Sequence, residues 1–152
     1  MKNQDKYTTS DDDNLKLIEE TLVKYNSAKD FTTLDAWKKA RKVRLFFYNK
    51  VLPLLPKEEK YDLGSQIRRA SVSCTNNIAE GYGRFHFQES MQFYRTSRGS
   101  LYEFKDDIIT CLDQNYINKE LFVKGIILIE DAKITLNGYI NYTENQKKKY
   151  AK

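Results

Sequence analysis

Hydrophobic residues recur every three or four positions along most of this chain, which is the spacing of one face of an α-helix. Four long segments show this pattern, and Pro53, Pro56 and Gly81 stand where a helix is expected to stop. The predicted helices run from Thr32 to Pro53, from Lys57 to Glu80, from Phe87 to Gln114 and from Asn118 to Asn141. A weaker pattern between Asp11 and Asp30 predicts an additional helical segment.

Short connections between long helices imply antiparallel neighbours. The predicted fold is therefore all-α, an antiparallel up-down-up-down four-helix bundle with an extra N-terminal helical segment. We expect an acidic, partly helical extension over residues 1–30, the bundle domain over residues 31–142 and a basic flexible tail over residues 143–152. The fourth helix is apolar on three faces, represented by Ile126, Ile127 and Leu128, which four helices alone cannot bury. A partner surface, and hence self-association, is expected.

The second predicted helix carries two neighbouring stripes of different polarity. The apolar stripe consists of Leu63, Ile67, Ala70, Cys74 and Ile78, and the polar stripe consists of Gln66, Arg69, Ser73, Asn76, Asn77 and Glu80. The apolar stripe predicts a core-facing seam. The polar stripe has two interpretations: a polar pocket near the following turn, or helix capping and hydrogen bonds between helices. We favour the second.

Arginine side chains extend this polar set. On the first predicted helix Arg41 and Arg44 fall within the apolar arc, and a buried guanidinium requires a carboxylate or carbonyl partner. We therefore predict a polar network that is structural or lies at a subunit interface. Its members are Arg41, Arg44, Gln66, Arg69, Asn76, Asn77, Glu80, Arg84 and Glu103, with Asp106 and Asp107 as further candidate carboxylates.

Positive charge is concentrated on the first predicted helix. The chain has 152 residues and a net charge of +5, and an excess of the same size lies between Phe31 and Pro56. The candidate nucleic-acid-binding residues are Lys38, Lys39, Lys42 and Lys50, which share the polar arc of that helix. Repeated around an oligomer, such an arc binds phosphates; the alternative is an ordinary solvated face.

Signatures of catalysis and of metal or cofactor binding are weak. His86 is the single histidine, and neither Ser73 nor Cys74 has an evident third group to complete a catalytic triad with it. Gly81 and Gly83 follow a helix and lack the lysine of a phosphate loop. We expect a non-catalytic protein without a cofactor or a metal site. Cys74 and Cys111 fall on core stripes and are expected to be buried thiols.

Membrane and secretory signals are weak as well. The N-terminal residues lack the apolar region of a signal peptide, and every apolar run is shorter than the roughly 18 residues of a membrane span. We expect a cytoplasmic protein with no membrane partner.

Three segments carry a family resemblance, namely LDAWKKA, LPKEEKYDLGSQIRRASVSCTNNIAEGYGR and RGSLYEF. Through them residues 31–142 resemble the intervening-sequence proteins, a family first associated with insertions in large-subunit ribosomal RNA genes. The resemblance implies a four-helix bundle that assembles as a homopentamer and has no established enzymatic activity. In architecture the chain is distantly similar to the accessory variability determinant of diversity-generating retroelements, a basic pentamer that engages nucleic acid and a reverse transcriptase.

The residues and the resemblance together favour a non-catalytic oligomeric scaffold or adaptor. We expect it to associate with RNA or DNA through the basic arc of the first helix. The alternative is an adaptor that binds an acidic protein partner and has no nucleic-acid role.

Overall fold

The computed structural model describes residues 11–27, 30–84 and 86–150, and the regular structure of these residues is entirely helical. The α-helices are α1 (Asp11–Ser27), α2 (Asp35–Phe46), α3 (Leu63–Gly83), α4 (Phe87–Asp113) and α5 (Lys119–Tyr150). The all-α prediction is confirmed. Within the described ranges no helix combines the length and the apolar character needed to cross a membrane.

Each of the four long helices after α1 packs against two others. The pairs in contact are α2 with α3, α3 with α4, α4 with α5, and α5 with α2. One continuous core lies among them, and it includes Phe47 of the turn after α2, Ile78 of α3, Phe104 of α4 and Leu136 of α5. The arrangement is bundle-like, because each helix buries one apolar stripe against two neighbours.

The predicted apolar stripe of α3 is confirmed as part of this core. Ile67, Cys74 and Ile78 are completely buried, and Leu63 and Ala70 are nearly so. Both cysteines are free and buried, as expected, and burial raises the pKa of Cys74 and of Cys111 to about 12. The thiols therefore act as small core side chains.

Between α2 and α3 the chain forms one π-helical turn and two 3-10 turns. Residues Phe47–Val51 form a π-helical turn, in which the Leu52 N–H donates to the carbonyl oxygen of Phe47. A 3-10 turn at Leu52–Leu54 follows, so the predicted end of the helix near Pro53 is confirmed. A second 3-10 turn, Lys57–Lys60, precedes α3, which starts later than the predicted Lys57.

Gly81 does not end α3, and this prediction was wrong. The helix continues to Gly83, and none of the described glycines has a positive φ. The requirement at Gly81 is space: a Cβ atom there would lie 2.5 Å from Cε1 of Tyr94 on α4. Gly81 therefore allows close approach of two helices.

The last helix is longer than the pattern predicts, since α5 continues past Asn141 to Tyr150. Contacts with the start of α4 accompany the extra turns. Lys147 Nζ donates to Gln88 Oε1 at 2.7 Å, and the rings of Phe87 and Tyr150 stack with centroids 5.9 Å apart. Three lysines in the last turn also interact favourably with the helix dipole.

Candidate interaction surfaces

The four lysines of the predicted nucleic-acid-binding arc lie on α2 and the π-helical turn after it. Lys38, Lys42 and Lys50 are exposed, and Lys39 is half-buried. Lys38 Nζ lies 3.9 Å from Asp35 Oδ1, and Lys39 Nζ lies 2.7 Å from Asp131 Oδ1 of α5. Two of the four charges therefore face a carboxylate, although exposed pairs of this kind are individually weak.

The two arginines of α2 differ from each other and from the sequence prediction. Arg41 is exposed, and its guanidinium lies 6.0 Å from the centroid of the Trp37 ring. The arc was predicted too wide: the fully buried face centres on Ala40 and Val43, and at 100° per residue Arg41 lies about 130° away from that centre. Arg44, closer to the core, donates from Nη1 to Thr75 Oγ1 at 2.7 Å rather than to a carboxylate.

Ser73 and Asn77, in the middle of the polar stripe, form hydrogen bonds at the contact between α3 and α4. Asn77 Nδ2 donates to the Ser73 carbonyl oxygen at 2.8 Å, and Ser100 Oγ of α4 donates to Ser73 Oγ at 2.7 Å. Ser97 Oγ donates to the Cys74 carbonyl oxygen at 2.5 Å. The Asn77 bond lies within α3, whereas the two serine bonds join α4 to α3 and agree with the interpretation of the stripe as hydrogen bonding between helices.

The C-terminal end of the polar stripe borders an open groove of about 510 Å³, here called the Arg84 groove. Its lining residues are Asn76, Ala79, Glu80, Gly83 and Arg84. Arg84, directly after the end of α3, forms an ion pair with Glu80 of that helix, and its guanidinium lies 4.9 Å from the centroid of the Phe93 ring. Asn76, Glu80 and Arg84 of the predicted network are therefore brought together at this groove.

The other end of the stripe borders an acidic groove of about 330 Å³ between α3 and α4. Its lining residues are Gln66, Arg69, Glu103, Asp106 and Asp107. Gln66, Arg69 and Glu103 of the predicted network meet here. All three of these side chains are exposed in the single chain.

Asp107 is the unusual member of the acidic groove. It is only 6% exposed, and its Oδ2 has no hydrogen-bond partner among the described residues. Burial, followed by the charges of Asp106 and Glu103, raises the pKa of Asp107 to about 7. From the sequence, Asp107 was predicted only as a candidate carboxylate partner for arginine. Its position between Phe104 and Cys111 on the buried face of α4 is the signal that indicates its burial.

A cluster of charged side chains between α4 and α5 was not predicted from the sequence. Glu130 Oε1 accepts hydrogen bonds from Lys105 Nζ at 2.8 Å and from Lys133 Nζ at 3.1 Å. These bonds hold the pKa of Glu130 below its usual value. Lys133 is almost buried, with its ammonium 4.0 Å from the centroid of the Tyr102 ring. The Lys133 ammonium therefore faces both the Glu130 carboxylate and the Tyr102 ring.

The outward face of α5 is apolar and uncovered in the single chain. Val123 is 52% exposed, Ile127 62% and Ile134 69%. The expectation that the helices of one chain cannot bury this face is confirmed. Several large apolar residues on one face of a helix are typical of an interaction surface.

Among the described residues, no group of three or more His, Cys, Asp and Glu side chains is placed to hold a metal ion. Known proteins give one informative comparison. The model of the 23S rRNA-intervening sequence protein family matches residues 32–138, which is most of the chain. A search of curated proteins finds no match.

Proposed function

The chain belongs to the 23S rRNA-intervening sequence protein family, and from this premise we propose that it is a non-catalytic, cytoplasmic homo-oligomer that associates with nucleic acid, RNA in particular. The name of the family supports a link to ribosomal RNA. The observation that carries the proposal is the lysine arc of α2, where Lys38, Lys42 and Lys50 project into solvent. Exposed lysines of this kind bind phosphates without reading bases.

We further propose that α2 to α5 form an antiparallel four-helix bundle that assembles as a homopentamer. The cyclic order of helix contacts supports the bundle. The exposed Val123, Ile127 and Ile134 of α5 support assembly, because burying them between subunits removes apolar surface from water. In a ring, the lysine arc is repeated once per subunit and its field is reinforced.

The test is a fluorescence-anisotropy titration of labelled RNA and DNA at several salt concentrations. Replacing Lys38, Lys39, Lys42 and Lys50 with Gln is expected to weaken binding while helix content and oligomeric state stay unchanged, since Gln is a good helix former. The slope of the logarithm of the binding constant against the logarithm of the salt concentration is expected to become less steep. The change per lost phosphate contact is roughly 0.7 for a single strand and roughly 0.9 for duplex DNA. The matched control replaces Lys147, Lys148 and Lys149 of the last turn of α5 with Gln.

The ion pair between Lys39 and Asp131 provides a second arm of this test. Asp131→Asn removes the carboxylate that faces Lys39 at 2.7 Å, so it is expected to tighten binding to RNA. Absence of binding by the unmodified protein at low salt would overturn the nucleic-acid proposal. Equal loss in the two variants would mean that the α2 lysines contribute no more than other exposed lysines. Unchanged binding by the α2 variant together with loss in the control would place the contact on α5 instead of α2.

An acidic protein partner is the second candidate, and one observation favours it. Lys50 and Lys124 border an apolar groove that also contains Phe46 and Leu128. An apolar surface with basic edges suits a segment with both acidic and apolar side chains better than it suits a phosphate backbone. Capture of a stable acidic partner by a protein that fails to bind RNA and DNA would support this candidate.

A further inference from the structure

Helix α1 presents an apolar stripe that its own chain leaves uncovered. Leu15, Ile18 and Leu22 are spaced at i, i+3 and i+7, and they are 59%, 54% and 53% exposed. This spacing places three apolar side chains on one face of the helix. It is the pattern of anchors by which an amphipathic helix binds in a groove.

An open apolar groove lies elsewhere on the same chain, between α2 and α5. It measures about 560 Å³, and its lining residues are Phe46, Lys50, Leu121, Lys124, Ile127 and Leu128. Gly125 lies beside it, and a Cβ atom there would come within 2.8 Å of the Phe46 ring. Cδ1 of Ile108 on α4 would lie even nearer to that Cβ, so the glycine lets both α2 and α4 approach α5 closely next to the groove.

Helix α1 and the groove are complementary in charge. Five acidic residues and two lysines lie in Asp11–Ser27, so α1 carries a net charge of −3. The polar side chains that border the groove are the lysines Lys50 and Lys124. Lys50 forms no ion pair with a described residue of its own chain, whereas Lys124 pairs with Glu120 at 2.6 Å. An acidic, apolar helix therefore matches both the walls and the edges of the groove.

The length of the connection to α1 bears on which copy fills the groove. Only residues 28 and 29 separate Ser27 from Asp30, and three residue steps span at most about 11 Å. The end of α1 thus stays close to α2, yet its stripe and Ile127 of the groove are both more than half exposed. Because the two surfaces differ from each other, two copies either exchange α1 reciprocally in a closed dimer or form a head-to-tail contact, and a head-to-tail contact whose rotation closes gives a ring.

We propose that the acidic helix α1 of one copy of this chain binds, through Leu15, Ile18 and Leu22, in the groove between α2 and α5 of a second copy. The proposal rests on the homo-oligomer of the proposed function and names a contact that holds it together. Residues 11–27 lie outside the part of the chain that the family model matches. The contact is therefore a property of this chain and not of the family model.

Disulfide cross-linking of the full chain tests the proposal. Leu15, Ile18 or Leu22 is replaced by Cys in one tagged chain, and Ile127 is replaced by Cys in a chain with a different tag. Mild oxidation of the mixture is expected to yield a disulfide between the two chains for at least one position on α1. Cys74 and Cys111 do not interfere, because both are completely buried. Leu17→Cys is the matched control: it is 62% exposed but lies about 130° from the centre of the stripe.

Charge reversal provides a second readout in the same assay. Lys50→Glu is expected to reduce the yield of the disulfide about two- to fivefold, the effect of one or two surface ion pairs. Glu19→Lys on α1 in the same background is expected to restore part of that yield. If α1 binds only through its apolar side chains, neither substitution changes the yield of the disulfide. The acidic residues of α1 would then make no contribution to the contact.

Three outcomes would overturn the proposal. A disulfide within one chain that carries both cysteines would show that α1 binds its own groove. Failure of all three positions in a protein that light scattering shows to be oligomeric would remove the contact and leave the proposed oligomer intact. A monomeric protein at micromolar concentration would remove both.

Discussion

Polar side chains are usually exposed and apolar ones buried, but two regions of this molecule show the reverse. One region is the contact between α3 and α4, and the other is the outward face of α5. At the first, Ser97 and Ser100 are buried and donate hydrogen bonds to the Cys74 carbonyl oxygen and to Ser73. On the second, Ile127 and Ile134 are mostly exposed. Small polar side chains are therefore buried readily where they find a hydrogen-bond partner, whereas apolar side chains stay exposed where no neighbouring segment covers them.

Asp107 marks the limit of that rule at the end of the α3–α4 contact. Its Oδ2 is buried like the serine hydroxyl groups, but it lacks a hydrogen-bond partner among the described residues. Burial of a charge without a partner is costly, and the raised pKa is the expected response.

The largest expected effect is that of Asp107→Asn. The pKa of this carboxyl is about 7 against an ordinary 3.8, so its ionisation opposes folding progressively between about pH 4 and pH 7 and fully above that range. The variant is expected to raise the free energy of unfolding at pH 8 by at most about 4 kcal/mol. The gain is expected to fall close to zero below pH 4, where the carboxyl is protonated in both states.

Urea unfolding at pH 4 and pH 8 measures this difference. Asp106→Asn is the control, because Asp106 is an exposed neighbour in the same groove. A similar gain for both variants, or a gain at pH 8 that persists at pH 4, would contradict burial of an unpaired carboxyl at position 107.

The outward face of α5 is tested by Ile134→Glu. Ile134 is 69% exposed in the single chain, so the fold of the subunit is expected to persist. Burial of such a side chain between subunits is worth about 1.5–3 kcal/mol, which the variant forfeits at every interface of the proposed ring. We expect light scattering to show a smaller assembly and circular dichroism to show unchanged helix content.

Leu54→Glu is the matched control for Ile134→Glu. Leu54 is an apolar residue that is 52% exposed, and it lies in a 3-10 turn and not on α5. Unchanged mass for both variants would show that this face of α5 does not take part in assembly.

The smallest effect concerns the close approach of α3 and α4. Gly81→Ala places a Cβ atom against the ring of Tyr94, which is buried and packs against Tyr139 with ring centroids 5.0 Å apart. We expect a net loss of about 1–2 kcal/mol, since overpacking exceeds the gain in helix propensity. Thermal unfolding measures the change.

Gly138→Ala is the matched control for Gly81→Ala. Apart from its chain neighbours and the nearby backbone of α5, nothing among the described residues lies within 4 Å of a Cβ built at Gly138. This substitution is therefore expected to stabilise α5 by about 0.5–1 kcal/mol. Equal changes in melting temperature for the two alanine variants would mean that Gly81 is not needed for helix packing.

Local patterns predicted the core and the helices well. The i, i+4, i+7 spacing of Leu63, Ile67 and Ala70 placed the buried face of α3, and the three apolar faces of α5 anticipated the exposure of Ile127 and Ile134. These predictions succeed because the period of a helix fixes which side chains share a face. The role of Gly81 was missed, because helix-ending and close-packing glycines have the same sequence signal.

The sequence predicted which residues lie on the candidate surfaces more accurately than it predicted the partners of those residues. Lys38 and Lys39 stand on the predicted polar arc, but the sequence offers no means of pairing Lys39 with Asp131, 92 positions later. Arg41 was placed in the buried arc, and Arg44 was expected to meet a carboxylate or a carbonyl instead of the hydroxyl of Thr75. Partners on other helices depend on how helices are rotated against each other, which local spacing does not determine.

The sequence alone is enough to predict the all-α class, the order of the described helices, the apolar stripe of α3, the uneven placement of charge and the excess of apolar surface on α5. Tertiary structure alone decided that Asp107 is buried without a partner, that Gly81 adjoins the ring of Tyr94, and that Phe46 and Leu128 line one groove. These two sets of properties differ in how far along the chain the responsible interactions reach. Helix periodicity acts over a few residues, whereas desolvation, close packing and grooves arise only where segments distant in the chain are brought within a few ångströms of each other.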